Sequence, residues 1–157
     1  MLCAETVVVA LNHGFSGGLT EKQTIAVAAP FSMAMGESGC LCGALSGAVM
    51  ACGLLLGNDQ AYRHRRDMRE SARALHDAFK ATYGSTCCRV LSQKVRLDKK
   101  ARFEQCADVT ATTVELAARL VLAKRPGLIK QADSQYLDKK ESTIVGALLR
   151  LVHHFSR

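Results

Sequence analysis

A chain of 157 residues has the length of one domain and can bury about two-thirds of its unfolded surface, so neither a metal nor a disulfide is needed to keep it folded. Its seven cysteines therefore need another explanation, and their odd number excludes a fully paired disulfide framework in a monomer. The net charge of +7 raises nucleic acid or an acidic redox partner, while the lack of tryptophan and an aromatic content of 5% argue against a stacking platform for single strands.

The first residues, "MLCAETVVVALNHG", have no basic n-region and no small-residue cleavage site. They do not read as a signal peptide, and a reducing cytoplasm is the expected compartment. There, clustered cysteines serve as metal ligands or redox thiols more often than as structural bridges. Leu2 to Leu11 and Lys22 to Ala29 are short helix candidates separated by the turn-prone "HGFSGG". Val7-Val8-Val9 would tolerate a strand, but no alternating partner is visible and an isolated strand is not stable. "PFSMAMGESG" reads as a loop.

The uncharged run from Leu41 to Gly57 is interrupted by Gly43, Gly47, Gly53 and Gly57. A spanning helix needs about 20 predominantly apolar residues, so a buried helix is expected here and no membrane span. From Ala61 to Tyr83, Met68, Ala72, Leu75, Phe79 and Tyr83 draw one stripe down a helix. Arg63, Arg65, Arg66, Arg69 and Arg73 lie mainly off it, as a solvated face or as a binding face for phosphate or an acidic partner. Gly84 ends this helix. From Lys99 to Lys124 a second stripe carries Phe103, Cys106, Thr110, Val114, Ala117 and Val121, and "KRPG" closes it. "DKKESTIVGALLRLVHHFSR" reads as a last amphipathic helix with Ile144, Leu148, Leu151, Val152 and Phe155 on its apolar side.

The expected architecture is all-α: a single-domain helical bundle with a buried glycine-rich central helix. Residues 1–125 form the main domain and 126–137 a linker, within which Gln131 to Leu137 leads into a C-terminal helix over 138–157 that docks on the same domain.

Neither C-x-x-C pairs nor zinc-like histidine spacing occurs. On one straight helix Cys42 and Cys52 would be separated by about 15 Å of rise, too far to bind one small centre, so Cys52 is expected to pack. Adjacent His153 and His154 point about 100° apart on a helix and are expected to be exposed. His13 beside Gly14 reads as a turn residue, with a role as fourth ligand, should one thiol fail, kept open by its closeness to the Cys3 helix. No Ser/His/Asp order, phosphate loop or dinucleotide fingerprint is present, and an enzyme is not favoured.

"LCAETVVVAL", "CGALSGAVMACGLLLG", "YGSTCCRVL" and "FEQCADVTATTVELAARLV", in that order, resemble the redox-active family named for its cysteine pattern, C_GCAxxG_C_C, over Leu2 to Val121. The resemblance implies that Cys3, Cys42, Cys88 and Cys106 are the family cysteines, Cys88 rather than Cys87 because Arg89 follows it. It implies that these thiolates hold an iron–sulfur cluster, of the two-iron [2Fe–2S] type, as relatives fused to c-type haem domains suggest. C-x-x-C-H is missing here, so no covalent haem is expected. In the motif Cys42-Gly43-Ala44-Leu45-Ser46-Gly47, Gly43 and Gly47 would let a cluster or another helix approach the backbone. Cys40 and Cys87 are spare ligands or local variation.

Three functions follow. The first is an iron–sulfur protein for electron transfer or redox sensing, working with a redox partner protein. The second is a metal-free thiol–disulfide protein. The third is a basic interaction module with structural cysteines, although nucleic acid is not the expected partner. A homodimer through the glycine-rich helix stays open.

Overall fold

The computed structural model describes residues 1–57, 60–137 and 143–155. Residues 138–142 and 156–157 of the expected C-terminal helix lie outside these, as do the side chains of Ile144 and His153. The protein is all-α, and among the described residues there is no strand. Nine α-helical segments are described: α1 (Cys3–Gly14), α2 (Glu21–Ala28), α3 (Ser32–Glu37), α4 (Gly43–Gly57), α5 (Arg65–Tyr83), α6 (Cys88–Leu91), α7 (Lys99–Lys124), α8 (Ser134–Leu137) and α9 (Thr143–Phe155).

The centre of the bundle is α4. Nearly every residue of it is buried, from Gly43 through Ala48 and on to Leu56, as expected of a helix that is apolar all round. It packs most extensively on α1 and also on α5 and α7, while α9 covers α7. Phe15, Phe79, Leu11, Leu45, Leu75, Leu122 and Leu148 are the largest side chains wholly buried. The Val7-Val8-Val9 run is helical despite its β-branched residues, because all three are buried and packing overrides weak intrinsic propensity.

Local chemistry sets the helix ends. Thr20 and Gln23 form a reciprocal capping box on α2, the Gln23 N–H donating to Thr20 Oγ1 and the Thr20 N–H to Gln23 Oε1. Asp98 accepts from the N–H groups of Lys100 and Ala101 at the start of α7. Gly84 closes α5 with φ 75°, the left-handed conformation that glycine takes without steric cost.

Several local expectations are corrected. The stretch Ser32–Glu37 is a compact left-handed turn, not an open loop, with Met33, Ala34, Met35 and Gly36 at φ from 53° to 63°. L-residues pay about 1–2 kcal/mol each for this hand, offset here by burial of Ala34 and by the Ser38 hydroxyl and the Gly39 N–H, both donating to the Ala34 carbonyl. Phe103 is 75% exposed and Phe155 is 43% exposed. The first buried residue of α7 is Val109, so the described residues leave the start of its stripe only partly covered. Residues 126–137 contain two short helical turns, with Leu128 and Leu137 buried. His13 lies in the last turn of α1, its ring against Tyr136.

Candidate functional site

Of the four cysteines expected to be the family's, Cys3, Cys42 and Cys88 sit at helix starts, and Cys106 lies about two turns into α7. Cys3 is the first residue of α1, which is anchored by the Leu2 N–H donating to Glu5 Oε2 at 2.8 Å. Cys42 immediately precedes α4, and its own N–H donates to the Thr86 carbonyl at 2.8 Å, tying it to the segment that carries Cys88. Cys88 begins α6, and Cys106 lies within α7. Cys42 is buried, and Cys3, Cys88 and Cys106 are partly so.

Glycine brings the first two together. A Cβ on Gly43 would stand 2.5 Å from Cys3 Sγ and 2.9 Å from the Phe31 carbonyl oxygen, so the Cys3 thiol rests where a side chain would be. Four residues on, a Cβ on Gly47 would meet the Ala4 carbonyl oxygen at 2.6 Å and Ala4 Cα at 3.0 Å. Gly47 is thus where the backbones of α1 and α4 meet.

Electrostatics ties the other thiols to this point. Burial pushes the Cys42 thiol up to about 11, against the Leu45 and Ala44 N–H groups that donate to its sulfur, and negative charge on Cys88 or Cys3 adds to the rise. Cys88 is also raised, first by burial, then by Cys106 and Cys3, with Arg102 opposing. Cys106 is raised by burial and by Cys3, again opposed by Arg102. Cys3 is therefore the common charge neighbour of three thiols from three other segments. All three raised thiols are protonated at neutral pH, so a metal bound there must displace protons. Among the described residues, no three His, Cys, Asp or Glu side chains are already set to hold a single metal ion.

Sequence reasoning missed two neighbours. Arg102 is one helical turn before Cys106, a spacing at which side chains share a face, and it acts on both Cys88 and Cys106. The Tyr83 phenol is raised by burial and then by Asp108 and Cys42, with Thr112 opposing. No hydrogen bond of good geometry joins Thr112 to it, and its buried oxygen is unpaired.

The remaining cysteines separate cleanly. Cys52 is 1% exposed in the core, and burial alone pushes its thiol up to about 12. The Cys87 thiol donates to the Gly39 carbonyl beside Cys40 at 3.2 Å, and its nearness is the first cause that raises the Cys40 thiol. Cys87 is lowered, first by the Val90 N–H and then by the Arg89 N–H, against desolvation. His13 is ten positions along α1 from Cys3, about 15 Å of rise, and does not share the site. His154 is exposed. Arg63, Arg65, Arg66, Arg69 and Arg73 are all exposed, two of them paired with Glu70 and Asp77.

The family model described as "Putative redox-active protein (C_GCAxxG_C_C)" matches residues 1–120. The chain belongs to the C_GCAxxG_C_C family. Membership supports a redox role, and the matched span includes all four family-type cysteines and both motif glycines. The chain has no match among curated proteins and none among solved structures. Among the described residues of this C_GCAxxG_C_C protein, no helix is long and apolar enough to cross a membrane.

Cys52 also predicts a pH dependence that separates packing from redox chemistry. Its folded value lies above its ordinary 9.0, so the folded state holds this proton more tightly than the unfolded chain. The stabilisation is complete below about pH 9 and is lost as pH rises toward about 12, a total of about 4 kcal/mol. Cys52→Ala is expected to be about 1 kcal/mol less stable than the native chain near pH 8. Near pH 11 the order should reverse. Urea unfolding of both proteins at the two pH values measures this, since the other titrating groups are common to both.

Proposed function

We propose that Cys3, Cys42, Cys88 and Cys106 hold an iron–sulfur cluster of the [2Fe–2S] type and that the protein serves electron transfer or redox sensing with a redox partner protein in the cytoplasm. The observation that carries this reading is Cys3 as the shared charge neighbour of Cys42, Cys88 and Cys106. The four thiols would supply the four thiolates that such a cluster takes. When bound, it supplies one-electron oxidation and reduction.

The chain's own residues have definable tasks. Burial around Cys42 limits water, and its thiol gives up a proton on ligation. The Ala44 and Leu45 N–H groups that donate to its sulfur stabilise the resulting negative charge. Arg102 offsets charge on Cys88 and Cys106. Gly43 leaves room for the Cys3 sulfur, and Gly47 holds α1 close enough to deliver it.

Anaerobic reconstitution with iron and sulfide, followed by metal and sulfide analysis and by visible and electron paramagnetic resonance spectra, tests the proposal. Visible absorption with bound iron and sulfide is expected. A colourless protein whose four thiols remain titratable overturns it, and a disulfide between two of the four on oxidation favours the metal-free thiol reading.

A further inference from the structure

Cys40 and Cys87 do not belong to the family pattern, yet the fold brings them together from distant parts of the chain. Cys87 Sγ donates to the carbonyl of Gly39, the residue that precedes Cys40, at 3.2 Å, and each thiol is the other's electrostatic neighbour. The segments that carry them are laced together on both sides. The Arg89 N–H donates to the Gly39 carbonyl at 3.1 Å, the Arg89 guanidinium donates to the Ser38 carbonyl at 2.8 Å, and the Cys42 N–H donates to the Thr86 carbonyl at 2.8 Å. A Cβ on Gly39 would meet the Arg89 guanidinium at 2.7 Å, so the absence of a side chain there lets the two segments close. Cys40 is exposed and Cys87 partly so, which leaves the pair open to a small reagent.

We propose that Cys40 and Cys87 are a second redox site, a dithiol that closes to a disulfide by exchange with a dialkyl disulfide. One thiol loses its proton and attacks a sulfur of the reagent, forming a mixed disulfide and releasing one reagent thiolate. The other loses its proton and attacks the protein sulfur of that mixed disulfide, forming the Cys40–Cys87 bond and releasing the second thiolate. The two released thiolates take up the two protons, so two protein thiols are oxidised and one reagent disulfide is reduced to two thiols. A disulfide sets its two sulfurs about 2 Å apart. It pins together the two segments that present Cys42 and Cys88 while consuming neither, and it does not rest on the cluster reading.

The test treats the reduced full-length chain with oxidised glutathione, quenches in acid, alkylates the remaining thiols and maps the peptides by mass spectrometry. A cross-link between the Cys40 and Cys87 peptides is expected. Because Cys42 and Cys88 are close in sequence to the pair, four serine variants assign it. Cys40→Ser and Cys87→Ser should each lose the cross-link and keep a glutathione adduct on the partner left behind. Cys42→Ser and Cys88→Ser should retain it, with circular dichroism melts showing that each variant is folded. Loss of the cross-link in folded Cys42→Ser or Cys88→Ser overturns the proposal, as does its survival in Cys40→Ser or recovery of Cys40 and Cys87 as free thiols in the native chain.

Discussion

Gly47→Ala will destabilise the protein by about 2 kcal/mol while the same change at Gly53, on the same helix, will stabilise it by up to about 1 kcal/mol. Both remove a helix-interior glycine, and both gain the same propensity and unfolded-state terms. They differ in space. A Cβ at Gly47 meets the Ala4 backbone at 2.6 Å and 3.0 Å and Val7 Cβ at 3.1 Å, whereas nothing lies within 4 Å of one at Gly53. Backbone atoms cannot rotate aside, so α1 must shift as a body. Because α1 begins with Cys3, the shift should also lower iron uptake in Gly47→Ala and leave it unchanged in Gly53→Ala. Chemical denaturation and iron analysis of the two variants check both halves, and equal destabilisation would contradict the close approach of α1 to α4.

Cys42→Ser and Cys106→Ser are each expected to lose nearly all bound iron and sulfide, while Cys52→Ala keeps them. Hydroxyl oxygen is a poor substitute for a soft thiolate on iron, so removing one of four ligands should abolish the visible chromophore. Cys52 is ten residues beyond Cys42 on the helix that Cys42 precedes, about 15 Å of rise, and burial alone shifts its thiol, with no contribution from another cysteine. Its loss should appear in stability alone. The comparison uses anaerobically reconstituted proteins, with metal analysis and visible spectra normalised to folded protein. Iron retained in both serine variants would sink the ligand assignment.

Much of the helical framework was legible before any coordinates. The stripe ending at Tyr83 and the Gly84 cap follow from spacing and from glycine's access to positive φ, and the bounds Lys99 to Lys124 follow from periodicity closed by Pro126. Such signals are local, involving residues a turn or two apart. The left-handed turn at Met33 to Gly36 had no such signal, because three of its four residues are not glycine; burial of Ala34 and the bonds from Ser38 and Gly39 to its carbonyl offset the cost. Phe103 shows the complementary limit. A periodic stripe identifies one face of a helix but not how far along that face a neighbour extends.

By itself the sequence determined the helical class, the buried character of the segment from Gly43 to Gly57, and the family. Only the tertiary structure decided the company each sulfur keeps. Cys87 and Cys88 are neighbours in the chain, yet one donates to the Gly39 carbonyl beside Cys40 and the other senses Cys106 and Cys3. Successive residues at a helix start diverge by about 100°, and which distant segment waits in each direction depends on how α1, α4 and α7 pack, information that no short window of residues contains.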